Sequence, residues 1–212
     1  MTRLLIAEDH TMARYGTKLL LKELLPNAEI NLAINFEQLL QQLTQYSFDL
    51  LILDINIPGG DNLQMVDVVR LRQPSVKILI FSAYDEQVYA IRYLQAGVNG
   101  YIMKDATENA MKEAILTVLK KDIYISPNIK QKLLFNVPDK KTDSNPLQAL
   151  SNRETEVMQQ LIKGATLSGI AQKLSLQTST VNTYKTRIFE KLDVSNVIEL
   201  LQKIQLYQNR PA

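Results

Sequence analysis

Five short apolar runs, each followed by a longer amphipathic stretch, constrain this chain more than any other feature. The runs fall at 4–7, 30–33, 50–53, 76–81 and 100–103. They have strand length, and most are apolar without polar alternation, as strands covered on both faces are. Helix-length segments lie near 11–24, 36–45, 62–72, 85–96 and 107–120. In the last, Ala110, Ala114, Ile115 and Val118 repeat at helical spacing. Five strand–helix units in about 120 residues predict an α/β fold with a doubly wound, five-stranded parallel sheet.

Beyond residue 121 the pattern lapses. Asp122-Ile123-Tyr124-Ile125-Ser126-Pro127 suits an extended piece, with Pro127 opening a short helix through Phe135. Residues 138–146 are polar, charged and bounded by Pro138 and Pro146, which is linker composition. Residues 147–212 contain no convincing strand. Ser151 and Glu154 are spaced as a capping box, and Gly164 suits the position just past a helix end. Further helices fit 167–174, 178–192 and a segment from Ser195. The expected organisation is a first domain over 1–122, a linker with a short helix over 123–146, and a small all-α four-helix domain over 147–212.

Charge divides in the same place. Residues 147–212 carry 8 Lys and Arg against 5 Asp and Glu, whereas 1–137 carry 14 against 15. The basic excess favours an anionic polymer at the second domain, although a solvated surface accounts for it as well. With no Cys and one His, the chain has no disulfide framework, no thiolate site and no zinc site built from histidines. No apolar run approaches the roughly 18 residues of a membrane span. Glu8 and Asp9 come too early for a signal peptide, so a cytoplasmic protein is expected.

In open parallel sheets, function collects beyond the carboxyl ends of the strands. Here strand 1 delivers Glu8 and Asp9, strand 3 Asp54, strand 4 Ser82, and strand 5 leads to Lys104. Three carboxylates in one crevice repel one another unless a cation joins them, and an all-oxygen set suits Mg²⁺. A hydroxyl and a lysine opposite suit the oxygens of a phosphoryl group. The pattern points to Mg²⁺-dependent phosphoryl chemistry on a carboxylate, with Asp54 at its centre. Taken singly, Asp9 or Asp54 reads as a helix cap. His10 reads as a cap or rim residue of the first helix rather than a ligand.

With these residues in order, 1 to about 122 resembles a response-regulator receiver domain, a flavodoxin-like fold. The likeness rests on Glu8-Asp9, Asp54 with Pro58-Gly59, Ser82-Ala83, and the run Ala96-Gly97-Val98-Asn99-Gly100-Tyr101-Ile102-Met103-Lys104. It implies that a sensor histidine kinase or a small phosphodonor phosphorylates Asp54. Asp9, Asp54 and the Asn56 carbonyl would contact Mg²⁺, with Glu8 acting through water. Lys104 would pair with the acyl phosphate, Ser82 would turn its hydroxyl toward it, and Tyr101 would rotate inward. Ala83 is small, as access requires. Glu8 stands where Asp is common, and Ser82 where Thr is equally usual.

In 178–192, Val181, Tyr184, Ile188 and Leu192 form one apolar stripe. Asn182, Thr183, Thr186 and Arg187 face away from it, flanked by Lys185 and Lys191. By pattern alone this suits a helix-turn-helix or a protein-binding bundle. The segments Leu150-Ser151-Asn152-Arg153-Glu154-Thr155-Glu156-Val157, Ile170-Ala171-Gln172-Lys173-Leu174, Ser179-Thr180-Val181 and Ile188-Phe189-Glu190-Lys191-Leu192 resemble the LuxR-type helix-turn-helix over 147 to about 207. The whole chain thus resembles a NarL/FixJ-family response regulator, which implies a transcription regulator that binds inverted repeats in double-stranded DNA as a homodimer. Carried over by position, Ser179 and Thr180 join the DNA-binding set, Asn182, Thr183 and Thr186 face bases, and Lys185, Arg187 and Lys191 favour phosphates. Ile198 and Leu206 are candidates for a dimer contact. Gly169 departs from the family's usual Glu, and Tyr184 from its usual His.

Two other classes fit less well. A haloacid-dehalogenase-like phosphatase needs a second Asp two residues after its nucleophile, where this chain has Asn56. A flavodoxin-like electron carrier needs a phosphate loop after strand 1, where Glu8-Asp9-His10 stand. A phospho-acceptor with at most slow autodephosphorylation is expected rather than an enzyme.

Overall fold

A computed structural model describes residues 2–60, 62–121, 123–135, 146–174 and 176–208. The chain forms two compact units, Met1–Asn136 and Val137–Ala212.

In the first unit, β1 (Arg3–Ala7), β2 (Glu29–Ala33), β3 (Leu50–Leu53), β4 (Lys77–Ser82) and β5 (Gly100–Met103) make one parallel sheet in the order β2-β1-β3-β4-β5. Helices α1 (Thr11–Leu24), α2 (Phe36–Gln45), α3 (Asn62–Arg72), α4 (Glu86–Gln95) and α5 (Glu108–Lys121) follow the strands in turn. Strand side chains alternate between faces. Leu4, Ile6, Leu50, Ile52, Leu79 and Ile102 meet Leu21 of α1 and Met111, Ala114, Ile115 and Val118 of α5 in one core. The alternate residues Leu5, Leu51, Ile78 and Ile80 are buried as well, so both faces are covered. This double coverage is why the central strands carry unbroken apolar runs, whereas the half-buried edge strand β2 includes Glu29 and Asn31. Burying each apolar side chain contributes roughly 1.5–3 kcal/mol.

The direction of winding reverses between β1 and β3, neighbours that share the register Ala7 with Leu53. Their carboxyl ends therefore open side by side into a crevice at the switch point.

The segment expected as a linker from residue 123 belongs instead, as far as Phe135, to the first unit. Tyr124 donates its N–H to the Asn99 carbonyl at 2.7 Å and bridges Gly100 in parallel. The absent side chain of Gly100 makes this possible, because a Cβ there would lie 3.1 Å from Tyr124 Cβ and 3.0 Å from Leu79 Cδ1. Helix α6 (Pro127–Phe135) then packs on α4 through the buried Ile129. Burial of Tyr124 and Ile129 holds the segment, a tertiary effect that local composition does not reveal. The expected linker stretch 138–145 lies outside the described residues.

The described part of the second unit is helical: a 3-10 turn at Pro146–Ala149, then α7 (Asn152–Ile162), α8 (Leu167–Lys173), α9 (Thr178–Leu192) and α10 (Val197–Gln208). The capping box forms as expected. Ser151 Oγ accepts from the Glu154 N–H, and Glu154 Oε2 accepts from the Ser151 N–H at 2.7 Å. Gly164 ends α7 at φ 77°, in the left-handed region. Val181, Ile188 and Leu192 of α9 pack inward, and Leu200 and Ile204 of α10 are buried with them. Helix α10 starts at Val197 rather than Ser195, because Asn196 Oδ1 accepts from the Glu199 N–H and so takes the capping role.

Lys191 Nζ lies 2.7 Å from Glu154 Oε2 and 3.2 Å from the Ala149 carbonyl. Burial alone would raise the Glu154 carboxyl. The Lys191 charge and the Ser151 hydrogen bonds outweigh it and hold the group below its ordinary value. Between the two values the unfolded chain binds more protons than the folded one. The pair therefore stabilises above the ordinary glutamate range and loses its contribution as pH falls through the depressed value. Glu154→Gln, which keeps the capping geometry, should cost on the order of 1 kcal/mol at neutral pH. That cost should disappear in acid, as urea unfolding at a series of pH values will show.

Candidate functional site

The crevice at the switch point is built by backbone first. Glu8 N–H bonds the Ala33 carbonyl at 3.0 Å, and Asp54 N–H bonds the Ala7 carbonyl at 2.9 Å. These bonds continue the sheet ladder one residue past each strand and fix where both side chains emerge. The Arg14 guanidinium, one turn into α1, donates to the Glu8 and Asp9 carbonyls at 2.8 and 3.0 Å. It pins the acidic loop through its carbonyls and does not engage the carboxylates. After β3, the Asp54 Oδ1 accepts from the Asn56 N–H at 3.2 Å. From β5, the Lys104 N–H bonds the Ser82 carbonyl at 2.7 Å, which sets its side chain across the crevice.

Glu8 and Asp54 are almost wholly buried, and Lys104 Nζ lies 2.6 Å from Glu8 Oε2 and 3.1 Å from Asp54 Oδ2. Burial pushes the Asp54 carboxyl above its ordinary value, the Lys104 charge pulls it back, and the Glu8 charge adds to the rise. Beyond Lys104 for Glu8 Oε2 and Asp54 Oδ2, and the His10 ring for Asp9 Oδ1, these buried oxygens have no partner among the described residues. Buried oxygens in this condition suit a cation, and a hard, oxygen-preferring divalent ion fits the donor set. One ligand atom from each of Glu8, Asp9, His10 and Asp54 lies within 4.8 Å of the others. The structure thus brings together Glu8, Asp9, Asp54 and Lys104, with Asn56 beside them.

The other side of the crevice differs from expectation in one respect. Tyr101 is already inside, 2% exposed, and its hydroxyl donates to the Tyr84 carbonyl at 2.8 Å. Burial pushes its phenol well up. Ser82 Oγ accepts from the Tyr84 N–H at 3.1 Å. Ala83 is exposed. Sequence reasoning missed Tyr84. Its hydroxyl donates to Asn56 Oδ1 at 3.0 Å, and its ring stacks on Tyr89 with centroids 5.1 Å apart. Burial raises this phenol, the Asn56 hydrogen bond lowers it, and Asp54 raises it further. Only its place two residues after Ser82 could have marked it.

In the second unit, α8, a turn and α9 form a helix-turn-helix layout. Thr166 Oγ1 still caps α8 by accepting from the Gly169 N–H at 3.2 Å, although Gly169 cannot return the contact. Ser179, Asn182, Thr183, Thr186 and Arg187 are exposed on α9, and Thr180 and Lys185 are half-buried. The hydroxyls of Thr183 and Thr186 donate to the Ser179 and Asn182 carbonyls at 3.1 Å. Lys185 Nζ lies over the Phe189 ring. Lys191 is tied to Glu154 and Ala149, an internal commitment that its expected phosphate role did not foresee. Ile198 is exposed, and the side chain of Leu206 lies outside the described residues. No helix among the described residues is long and apolar enough to cross a membrane.

Residues 4–116 match the response regulator receiver domain family, and residues 148–204 match the luxR family of bacterial regulatory proteins. The chain is 33% identical over 200 residues to "Response regulator GacA" of Pseudomonas protegens, covering 94% of this chain and 93% of the relative. It is 30% identical to "Oxygen regulatory protein NreC" of Staphylococcus carnosus, covering 94% and 95%. Its fold is similar to RcsB of Salmonella enterica serovar Typhimurium, solved bound to promoter rprA with the phosphomimetic BeF3-. The TM-score is 0.79 at 22% identity, over 97% of this chain and 99% of that one.

Replacing Lys104 by Met should leave two buried carboxylates facing each other. The cost should be about 3 kcal/mol, the lower end for breaking a buried ion pair, since the ammonium keeps some solvent contact. Millimolar Mg²⁺ should restore more stability to Lys104→Met than it adds to the wild type, as urea unfolding with and without the ion will measure.

Proposed function

The chain belongs to the NarL/FixJ family of two-component response regulators, a receiver followed by a luxR-type regulatory domain, and from that premise we propose that phosphorylation of Asp54 controls DNA binding by α9. The observation that carries this reading is the crevice itself, where the almost wholly buried Asp54 and Glu8 carboxylates stand together against the single Lys104 ammonium.

Asp9, Asp54 and the Asn56 carbonyl would hold Mg²⁺, with Glu8 linked through water. The ion would supply the positive charge that lets an anionic donor approach three carboxylates. An Asp54 carboxylate oxygen then attacks the donor's phosphorus. The donor is a phosphohistidine of a sensor kinase or a small acyl phosphate, and its P–N or P–O bond breaks as the new O–P bond forms. Lys104, already in contact with Asp54, pairs with the phosphoryl oxygens. Ser82 gives up its bond from Tyr84 to meet them, and Ala83 leaves room. Tyr101, already packed inside, fixes the loop after β4 through the Tyr84 carbonyl. Asp54 is modified rather than turned over, so the protein acts as a regulator, working in the cytoplasm where kinase and promoter meet.

On α9 the two threonine hydroxyls spend their protons within the helix. This leaves methyl groups and the Asn182 amide for base edges, a set that favours A·T pairs. Ser179 and Thr180 approach the backbone at the helix start, and Lys185 and Arg187 meet phosphates. A homodimer would set two such helices about 34–36 Å apart and read an inverted repeat.

Acetyl phosphate with Mg²⁺ should add one phosphoryl group to the wild type and none to Asp54→Ala by intact mass. Equal labelling of both would defeat the assignment. DNA-fragment selection with and without a phosphoryl analogue should recover an inverted repeat more strongly with it. On that operator, Asn182→Ala should cost about 1–3 kcal/mol at one base position. Arg187→Ala should weaken all sequences alike and flatten the salt slope by roughly one unit. Lys191→Ala should lower stability instead.

A further inference from the structure

The imidazole of His10, the single histidine of the chain, pairs with the acidic pair at the mouth of the crevice. It occupies the N-cap position of α1, yet its side chain makes no capping hydrogen bond. His10 is thus the cap by position, its carbonyl accepting from the Arg14 N–H at 3.0 Å, and a rim residue by exposure, as expected. The ring is 70% exposed, and its Nδ1 turns back toward the crevice, 2.9 Å from Asp9 Oδ1 and 3.1 Å from Glu8 Oε1. A ligand atom of His10 lies within 4.8 Å of those of Glu8, Asp9 and Asp54, a spacing that one shared ion can bridge. On the buried side, Glu8 Oε2 and Asp54 Oδ2 have the Lys104 ammonium as their partner among the described residues.

We propose that His10 is a metal ligand, so that this crevice takes a first-row transition ion such as Mn²⁺ or Zn²⁺ through a mixed nitrogen–oxygen set, in addition to Mg²⁺ through oxygen alone. The inference rests on the metal reading of the crevice given above and extends it to which ions the site accepts. Mg²⁺ is hard, prefers oxygen and keeps its waters, so an imidazole adds little to its binding. Transition ions gain from the same nitrogen, and histidine is their commonest protein ligand. A rim imidazole supplies that donor by exchanging its present contacts with Asp9 and Glu8 for the ion. An ion held through His10 keeps one water fewer to exchange for a phosphoryl oxygen, so the identity of the metal would bear on how readily Asp54 is modified.

The test uses the full-length protein grown with ¹⁵N-histidine, loaded with Mn²⁺ and read by electron spin echo envelope modulation. With one histidine in the chain, a ¹⁵N coupling has one source. The wild type should show the coupling of a directly bound imidazole, and His10→Gln should lack it. The ratio of Mn²⁺ to Mg²⁺ affinity should fall in His10→Gln by at least about tenfold, the loss seen when even an outer-shell partner of a ligand is removed. If Mn²⁺ binds in a manner that Asp54→Asn abolishes, but without ¹⁵N coupling or with an unchanged ratio, the His10 assignment is overturned and the metal crevice stands. If Mn²⁺ does not bind the wild type at all, both are overturned.

Discussion

One ammonium group, that of Lys104, sits between two buried carboxylates, and the first unit depends on that placement. Glu8 leaves β1, Asp54 leaves β3 and Lys104 follows β5, so three strands must stand in their observed order and register for the contact to exist. In a buried site the two negative charges would otherwise oppose folding. The same contact limits the chemistry. The ammonium can turn to a new anion only when something else balances the carboxylates it leaves. Under the function proposed, metal binding and phosphoryl binding would be linked through that one side chain, with no long-range relay needed.

Around that contact the structure assigns backbone and side chains separate duties. Arg14 fixes the acidic loop through its carbonyls, which keeps the carboxylate oxygens available. Tyr84 joins Asn56 on one side of the crevice to Tyr101 on the other, by its hydroxyl and its carbonyl respectively. A change at Asp54 thus has a short hydrogen-bonded route to the interior of β5. In the second unit the division is similar. Lys191 and Glu154 tie α9 to the start of α7, whereas Arg187 keeps an exposed charge on α9.

The strands and helices of the first unit were legible because double coverage writes itself into composition. A run such as Leu50-Leu51-Ile52-Leu53 has no polar side to hide. Glu8, Asp9, Asp54 and Lys104 were legible because parallel strands deliver their ends to one edge, so position after a strand is already position in space. Where two distant segments meet by side chains, the sequence was silent. Nothing local marks Lys191 as the partner of a glutamate 37 residues earlier, or Tyr84 as the partner of Asn56. Tyr124 and Ile129 looked like linker because their places to pack lie upstream, the bare backbone of Gly100 for Tyr124 and helix α4 for Ile129.

That bare backbone also bears on solubility. Strand β5 closes one side of the sheet, and an uncovered outer strand offers its unpaired amides and carbonyls to any other extended chain. Here Tyr124 lies along it, bridged to Gly100 and bonded to Asn99, and the helix beyond anchors that cover through Ile129. A fragment cut after residue 122 would keep every group of the acidic crevice and still expose this edge, inviting self-association by strand addition. One cut after residue 135 carries its own guard.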